Sequence, residues 1–501
     1  MKILNGIQIR EADAYTISNE PIDSIDLMER AANAFIMKFR ELYPNPCLIN
    51  VFCGPGNNGG DGLAIGRMLL LAKYEIQVYV LDLGKEFSKD FHINQKRLED
   101  IAKDRIFYLK DISHFPDLKK ETVVIDAIFG TGLSRPVEGF AEEVIDAINI
   151  SGNTIISVDL PSGLFTDIQN INESGIIKAE QTFTFQVPKL SFFFCSNVIY
   201  TGDWHVLDIG LDKGHIEESE TNHFYIDHDL AKLLLKPRKR CDNKGTYGHA
   251  LIWAGSYGKM GAAQLCAHAC MNAGAGLTTA FIPSIGYSIF QTALPEVMVM
   301  TDTDEHKLTS FPDLTKYSSI GLGPGIDKNL KTAHALSELL HVAKDIPVVI
   351  DADALNIISE NTKLLERLPK HSILTPHPKE FERLTGPVET DWERQTLASN
   401  FAQEYNCVLV LKGAFTSINL PNGKTYFNAT GNPGMAKGGS GDVLTGIITG
   451  LLAQKYSITD AAILGVYLHG LAGDIAARKK SVWSMSASDL IDNLGEAFGM
   501  V

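Results

Sequence analysis

The run Gly431-Asn432-Pro433-Gly434-Met435-Ala436-Lys437-Gly438-Gly439-Ser440-Gly441-Asp442 leads directly into Val443-Leu444-Thr445-Gly446-Ile447-Ile448. Five glycines among the first twelve residues strip side chains from a turn, and an apolar helical pattern follows at once. Bare N–H groups at a helix start form an anion hole, because orphan donors and the helix dipole both attract negative charge. Asp442 stands at the mouth of that hole. A carboxylate merely lining a phosphate site would repel its ligand. Its expected task is therefore to take a proton from a hydroxyl that joins or leaves a phosphoryl group. The plainer reading is a tight glycine turn with a solvated Asp as helix cap. The length and glycine density of the segment favour phosphate chemistry.

Upstream, short apolar runs alternate with turns and helical patterns. The runs at Ala250 to Trp253, Thr278 to Ile282, Ser319 to Leu322, Val348 to Asp351, Ser372 to Leu374 and Val408 to Leu411 predict strands. Strand–helix alternation predicts a parallel sheet covered on both faces by helices. The same pattern fills the first half, at Cys47 to Cys53, Ile76 to Leu81, Thr122 to Ile128 and Thr154 to Val158. Before them, Ile25, Met28, Ala32, Phe35, Ile36 and Phe39 recur at helical spacing after Asp23-Ser24. The polar segment Asp212 to Asn222 interrupts the series and reads as a linker. The fold class is therefore α/β, with two doubly wound domains.

At 501 residues the chain is long enough for two to four domains. Its composition, 45% hydrophobic and 21% charged, is that of a globular enzyme. A net charge of −15 argues against nucleic acid as a partner, which would need surplus Lys and Arg. The one basic run, Lys236-Pro237-Arg238-Lys239-Arg240, reads as a solvated loop, with a ligand-facing role left open. No stretch of 18 apolar residues suggests a membrane span, and Met1 to Gly6 has no leader-like apolar core. Seven cysteines without a secretory signal fit reduced thiols, so the cytoplasm is the expected compartment. Cys266 and Cys270, flanking His268, lack a second ligand pair and read as a buried small-residue helix.

Ligands of open α/β sheets gather beyond the carboxyl ends of strands, and those ends carry the notable residues. In the first half they are Gly54 to Gly62, Asp126 with Gly130-Thr131-Gly132, and Asp159-Leu160-Pro161-Ser162-Gly163. Asn58, Asp126 and Ser162 offer hard oxygen ligands from three strand ends, suited to a cation or equally to capping turns. Asp159, preceding Pro161, is a candidate acid/base group in the cleft. In the second half, Gly321-Leu322-Gly323-Pro324-Gly325 allows close ligand approach. The run Asp351 to Asn356 supplies two carboxylates suited to Mg2+ or to helix capping. His377 sits rigidly between prolines, and Lys412 and Thr416 are positioned for nucleotide phosphate.

On these residues the second half resembles the ADP-dependent NAD(P)H-hydrate dehydratases of the ribokinase-like superfamily. The matching segments are Ala254 to Ser256, Gly274 to Leu277, Pro295 to Val299, Gly323 to Gly325, Asp351 to Asn356, Thr375 to Leu384 and Asn432 to Gly446. The first half resembles the NAD(P)H-hydrate epimerases through Leu27-Met28-Glu29-Arg30-Ala31, Gly56 to Asp61, Asp126 to Gly132 and Asp159 to Gly163. The resemblance implies two three-layer αβα domains: a Rossmann-like epimerase over 1–215 and a ribokinase-like dehydratase over 223–501. It implies a repair task, in which R and S hydrates interconvert and the S form returns to NADH or NADPH while ADP becomes AMP and phosphate.

Carried over position by position, the resemblance puts the epimerase's hydrate site on Asn57, Asn58, Gly59, Gly60 and Asp61, then on Gly130, Thr131, Gly132, Leu133, Ser134, Arg135 and Pro136, and on Asp159. A potassium ion falls on Asn58, Asp126 and Ser162. In the dehydratase the hydrate meets Ala254, Gly323, His377 and Asp442. ADP, with Mg2+, meets Lys412, Gly413, Ala414, Phe415, Thr416 and Gly441, and the amides from Gly438 through Gly439 and Ser440 surround the phosphoryl group. Ser440 stands where such relatives often carry Thr, a small hydroxyl in either case. Asp442 and Asp159 are the expected catalytic groups, and a symmetric homo-oligomer is the expected assembly. Two competing readings are a small-molecule kinase of the same superfamily, and a first half that binds without catalysing.

Overall fold

The computed structural model describes residues 1–501. The chain divides into two compact units, Lys2–His223 and Phe224–Val501, the latter joined by Met1. The boundary falls at the end of the polar stretch read as a linker. That stretch carries a short helix, Lys213–Glu218, started by the Asp212 side chain accepting from the His215 N–H at 2.8 Å. His215 stacks on Tyr15 with ring centroids 4.5 Å apart, which ties the helix into the first unit.

The first unit is built on seven parallel strands: β1 (Leu48–Cys53), β2 (Glu75–Leu81), β3 (Ile106–Leu109), β4 (Val123–Ala127), β5 (Thr154–Val158), β6 (Gln181–Phe185) and β7 (Asp203–Leu207). Their order, β3-β2-β1-β4-β5-β6-β7, reverses direction between β1 and β4. That reversal opens the crevice where such sheets bind ligands. The helical spacing from Ile25 to Phe39 forms Ser24–Leu42, capped by Asp23, and all six apolar positions are buried. Burying Phe35 and Phe39 alone contributes about 2–3 kcal/mol each. A preceding helix, Gly6–Asn19, has too mixed a face to register as a periodic apolar pattern; it is started by an Asn5–Gln8 capping box.

The second unit has β8 (His223–Tyr225), β9 (His249–Trp253), β10 (Leu277–Ile282), β11 (Met298–Thr301), β12 (Ser319–Leu322), β13 (Val348–Ile350), β14 (Ser372–Leu374), β15 (Val408–Leu411), β16 (Thr416–Asn419) and β17 (Thr425–Asn428). Its sheet runs β11-β10-β9-β12-β13-β14-β15-β16-β17-β8, parallel from β11 to β15 and antiparallel through β16 and β17. The order reverses between β9 and β12. Helix Ser440–Ala453, the apolar run after the glycine turn, is buried from Val443 onward. It packs on helix Met260–Asn272 so closely that a Cβ at Gly446 would stand 2.2 Å from the Cys266 carbonyl oxygen. Small residues on both faces are therefore required, which explains Cys266 and Cys270 as packing residues. Both are fully buried.

Candidate functional site

In the second unit the glycine turn ends at Gly439, which caps helix Ser440–Ala453 in a left-handed conformation at φ +96°. No side chain caps this end; the Ser440 N–H turns onto the Lys437 carbonyl at 3.4 Å, and the Gly441 and Asp442 amides keep their orphan donors. His469, from helix Ile458–Lys480, steadies the turn: its Nε2 lies 3.0 Å from the Ser440 carbonyl oxygen. Burial pushes the His469 imidazole down to about 4, so it is neutral and donates to that carbonyl.

Beneath the turn lies Asp351 at the end of β13, 1% exposed. Its Oδ1 is 2.8 Å from Lys412 Nζ, at the end of β15, and its Oδ2 accepts from the Thr445 hydroxyl at 2.7 Å. Burial would raise the Asp351 carboxyl, but the Lys412 ammonium and the hydrogen bonds outweigh it and hold the group below the usual range. Lys412 also stands 3.9 Å from Glu380, which completes a capping box with His377. His377 Nδ1 accepts from the Glu380 N–H at 3.2 Å, and burial keeps the imidazole below its ordinary pKa. Its Nδ1 lone pair is thus used by the helix, and its Nε2 lies 3.5 Å from Glu380 Oε1.

Asp442 occupies the first turn above this floor. Burial, with the negative charges of Asp351, Asp353 and Glu380, pushes its carboxyl up to about 7 against the pull of Lys412. A carboxylate poised near neutrality is suited to proton transfer. Around the same point, Gly323 donates to the Trp253 carbonyl at 3.3 Å and Gly255 to the Pro324 carbonyl at 2.8 Å, which brings Ala254 and Gly323 to one strand-end cluster. The loop from Lys412 closes where the Thr416 hydroxyl accepts from the Gly413 N–H at 3.3 Å, and Gly413 and Ala414 face solvent. Asp353 accepts from Lys259 at 3.1 Å and from the Asp327 N–H at 2.9 Å. Both carboxylates of the Asp351–Asn356 run are thus engaged with protein partners.

In the first unit the turn after β1 is tight: a Cβ at Gly59 would fall 1.8 Å from the Gly54 carbonyl oxygen. Helix Asn57–Leu71 starts there, holding Asn58, Gly59 and Gly60 buried. Asp126, fully buried on β4, accepts from Ser162 N–H at 2.9 Å and from the Ser162 and Ser157 hydroxyls at 2.5 and 2.8 Å. Desolvation nevertheless keeps its carboxyl above the ordinary range. Ser162 Oγ accepts from the Phe129 N–H at 2.8 Å, and a Cβ at Gly130 would stand 3.4 Å from the Asn58 side chain. Asn58, Asp126, Ser162 and Gly130 are therefore neighbours, and the Asn58 amide has one buried end, Nδ2, with no partner. The segment from Thr131 to Pro136 continues as an irregular loop, with Gly132, Ser134 and Arg135 exposed.

Asp159, beyond β5, has φ +66°, and its Oδ1 accepts from Lys189 Nζ at 2.7 Å and from the Phe185 N–H at 2.9 Å. Lys189 is fully buried, its ammonium also donating to the Phe185 and Val187 carbonyls. Sequence reading did not single out Lys189, His469, Thr445 or Asp13. Nothing in Val187-Pro188-Lys189 separates a buried ammonium from a surface one, and His469 lies among apolar residues of a long helix.

An α/β protein with an amide cradle above a Lys–Asp floor in one unit, and a polar strand-end crevice in the other, is built as a two-site enzyme of nucleotide chemistry. Residues 250–496 match the family model described as NAD(P)H-hydrate dehydratase, and residues 24–191 match that of the YjeF-related protein N-terminus. A bifunctional NAD(P)H-hydrate repair enzyme of Moorella thermoacetica is 36% identical over 99% of this chain and 96% of its own. That of Escherichia coli is 31% identical over 94% and 88% respectively. A crystallised ADP/ATP-dependent NAD(P)H-hydrate dehydratase from Bacillus subtilis shares 32% identity, covering 56% of this chain and 99% of its own, with a TM-score of 0.49. The chain belongs to the bifunctional NAD(P)H-hydrate repair enzymes.

Proposed function

We propose that the two units act in series on hydrated nicotinamide cofactors, the first epimerising R and S hydrates and the second returning the S form to NAD(P)H at the expense of ADP. The observation that carries this reading is Asp442, a carboxylate poised near neutrality at an uncapped helix start above the Lys412–Asp351 pair. Hydroxide is a poor leaving group and phosphate a good one. Asp442 takes the proton of the ring hydroxyl, its oxygen attacks the β-phosphoryl of ADP, and AMP departs. The turn amides from Gly438 to Gly441 stabilise the charge on the moving phosphoryl, and loss of phosphate from carbon 6 with a proton from carbon 5 restores the ring double bond. The hydrate contacts Ala254, Gly323, His377 and Asp442, and the nucleotide contacts Lys412 to Thr416 and Gly441.

No trio of His, Cys, Asp or Glu side chains is grouped to hold a metal, and both oxygens of Asp351 are engaged. Mg2+ therefore fits this site as a companion of the ADP phosphates, whose charge it would neutralise. In the first unit, the neighbouring hard oxygens of Asn58 Oδ1, Asp126 and Ser162 suit K+, and the unpartnered Asn58 Nδ2, a donor, would have to face away from the ion. That ion would fix the loops bearing Asn57 to Asp61 and Gly130 to Pro136 around the hydrate, with Asp159 as the acid/base group. Seven free thiols support a cytoplasmic setting, and self-assembly as a homo-oligomer belongs to the same reading.

Mixing the purified protein with a racemic hydrate and ADP tests the proposal. Full recovery of the reduced cofactor is expected. Recovery of about half leaves only the dehydratase, and none removes the dehydratase.

A further inference from the structure

The crevice of the first unit gathers more charge than its proposed hydrate site uses. Helix Gly6–Asn19 passes its mouth: a Cβ at Gly6 would lie 2.9 Å from the Thr131 carbonyl oxygen, and one at Gly132 would lie 3.8 Å from the Arg10 guanidinium. Asp13, three residues after Arg10 and seven after Gly6, shares the face of this helix that meets Thr131 and Gly132, and it comes within electrostatic reach of Asp159, Lys189 and Asp61. Asp13 and Asp159 thus share one ammonium, committed to Asp159 at 2.7 Å, while Asp61 feels both of these carboxyls. Beside them, Asp90 is 7% exposed with Oδ1 unpartnered, and its charge acts on Asp61. Asn94, fully buried, gives its amide to the Gly60 carbonyl and leaves Oδ1 equally bare. Buried polar atoms are normally satisfied, so two such orphans beside the cluster mark a place prepared for a polar ligand.

We propose that Asp13 is the catalytic acid of the epimerase, working against the Lys189-held Asp159 as base. The inference rests on the epimerase reading given above. In the hydrated ring, carbon 6 bears the hydroxyl and is bonded to the ring nitrogen. Asp13 gives its proton to that hydroxyl, the C6–O bond breaks with its electron pair on oxygen, and water leaves. The nitrogen lone pair closes a C6=N bond. Water on the opposite ring face then forms the new C6–O bond, the C=N pair returns to nitrogen, and Asp159 takes the released proton. One water leaves, one enters, and nothing is oxidised. The environments separate the two roles. Burial and the charge of Asp159 push the Asp13 carboxyl up to about 6 against the pull of Lys189, whereas Asp159 is held by a direct ammonium contact.

The test uses the full chain and purified R hydrate with excess ADP, following reduced-cofactor recovery above the enzyme-free blank. Asp13→Asn should lower R-hydrate conversion by about a hundredfold or more while S-hydrate conversion stays at the wild-type rate. Asp13→Glu should restore part of the loss. Wild-type epimerisation should fall as pH rises above about 6, where Asp13 loses its proton, and the Asp13→Asn residual rate should lack that limb. An unchanged thermal midpoint of Asp13→Asn separates this loss from misfolding. Should Asp13→Asn convert R hydrate at the wild-type rate, or keep the same alkaline limb, the assignment is overturned. Failure of the wild type itself on R hydrate, while S hydrate is still converted, overturns the epimerase reading instead.

Discussion

Lys412 Nζ rests 2.8 Å from Asp351 Oδ1, directly under the first turn of the helix that carries Asp442. The pair joins the ends of β13 and β15 and sets the charge beneath the amide cradle. Removing one member leaves the other buried and uncompensated, which typically costs about 3–5 kcal/mol. Lys412→Met should therefore lower the denaturation midpoint of the second unit and abolish nucleotide binding. Adding Asp351→Asn should recover much of the stability without recovering affinity. Denaturant titration beside nucleotide calorimetry separates the two effects, and recovery of both would show Lys412 to be structural only.

Gly441 distinguishes an anion cradle from a packed turn. A Cβ there would stand 3.3 Å from Lys412 Nζ and 3.5 Å from Asp351 Oδ2, close but without backbone conflict. Gly441→Ala should leave the thermal midpoint within a few degrees, since alanine is the better helix former. The added methyl nonetheless occupies the space an incoming phosphate oxygen needs. KM for ADP should rise about tenfold or more. An unchanged KM would place the nucleotide elsewhere.

Asp442→Asn keeps the shape of the turn and removes the base. Nucleotide affinity should stay within a few-fold of wild type, while turnover on S hydrate falls by about three powers of ten or more. Turnover near the wild-type value would take Asp442 out of the mechanism.

The elevated Asp442 carboxyl also predicts pH effects of defined sign. Asp442 must be ionised to accept a proton, so kcat/KM for S hydrate should fall about tenfold per unit below pH 7 and level off above it. Stability runs the other way. The folded state retains a proton that the unfolded chain releases near the ordinary carboxyl value of 3.8, so stability is lost as pH rises from about 4 to 7. Asp442→Asn removes that loss. The variant should be more stable than wild type at pH 8, by about 1–2 kcal/mol after solvent screening, and no more stable at pH 3.5.

Strands β1, β2, β4 and β5 and their six counterparts, β9, β10 and β12 to β15, were legible because buried parallel strands read as short apolar runs. Strands β16 and β17 were not, since Thr416–Asn419 and Thr425–Asn428 are mixed in polarity and gain burial only by pairing antiparallel beyond β15. Glycine-rich strand ends marked both crevices because close backbone approach demands glycine there. The groups that tune those crevices left no local trace. Asp13 and Lys189 lie 176 positions apart in the chain and meet only through the fold. The Asp351–Asn356 run could equally have been a metal site or a cap, and only tertiary contacts show its carboxylates occupied by Lys412, Thr445 and Lys259.

The central claim is that the ring hydroxyl is phosphorylated before it leaves. Its most direct test is S hydrate labelled with oxygen-18 at carbon 6, converted by the enzyme with ADP, with the released phosphate analysed by mass. Transfer to the hydroxyl followed by elimination places one labelled oxygen in every phosphate formed. Label found in water, with unlabelled phosphate, would mean that ADP hydrolysis and dehydration are separate events and would contradict the account.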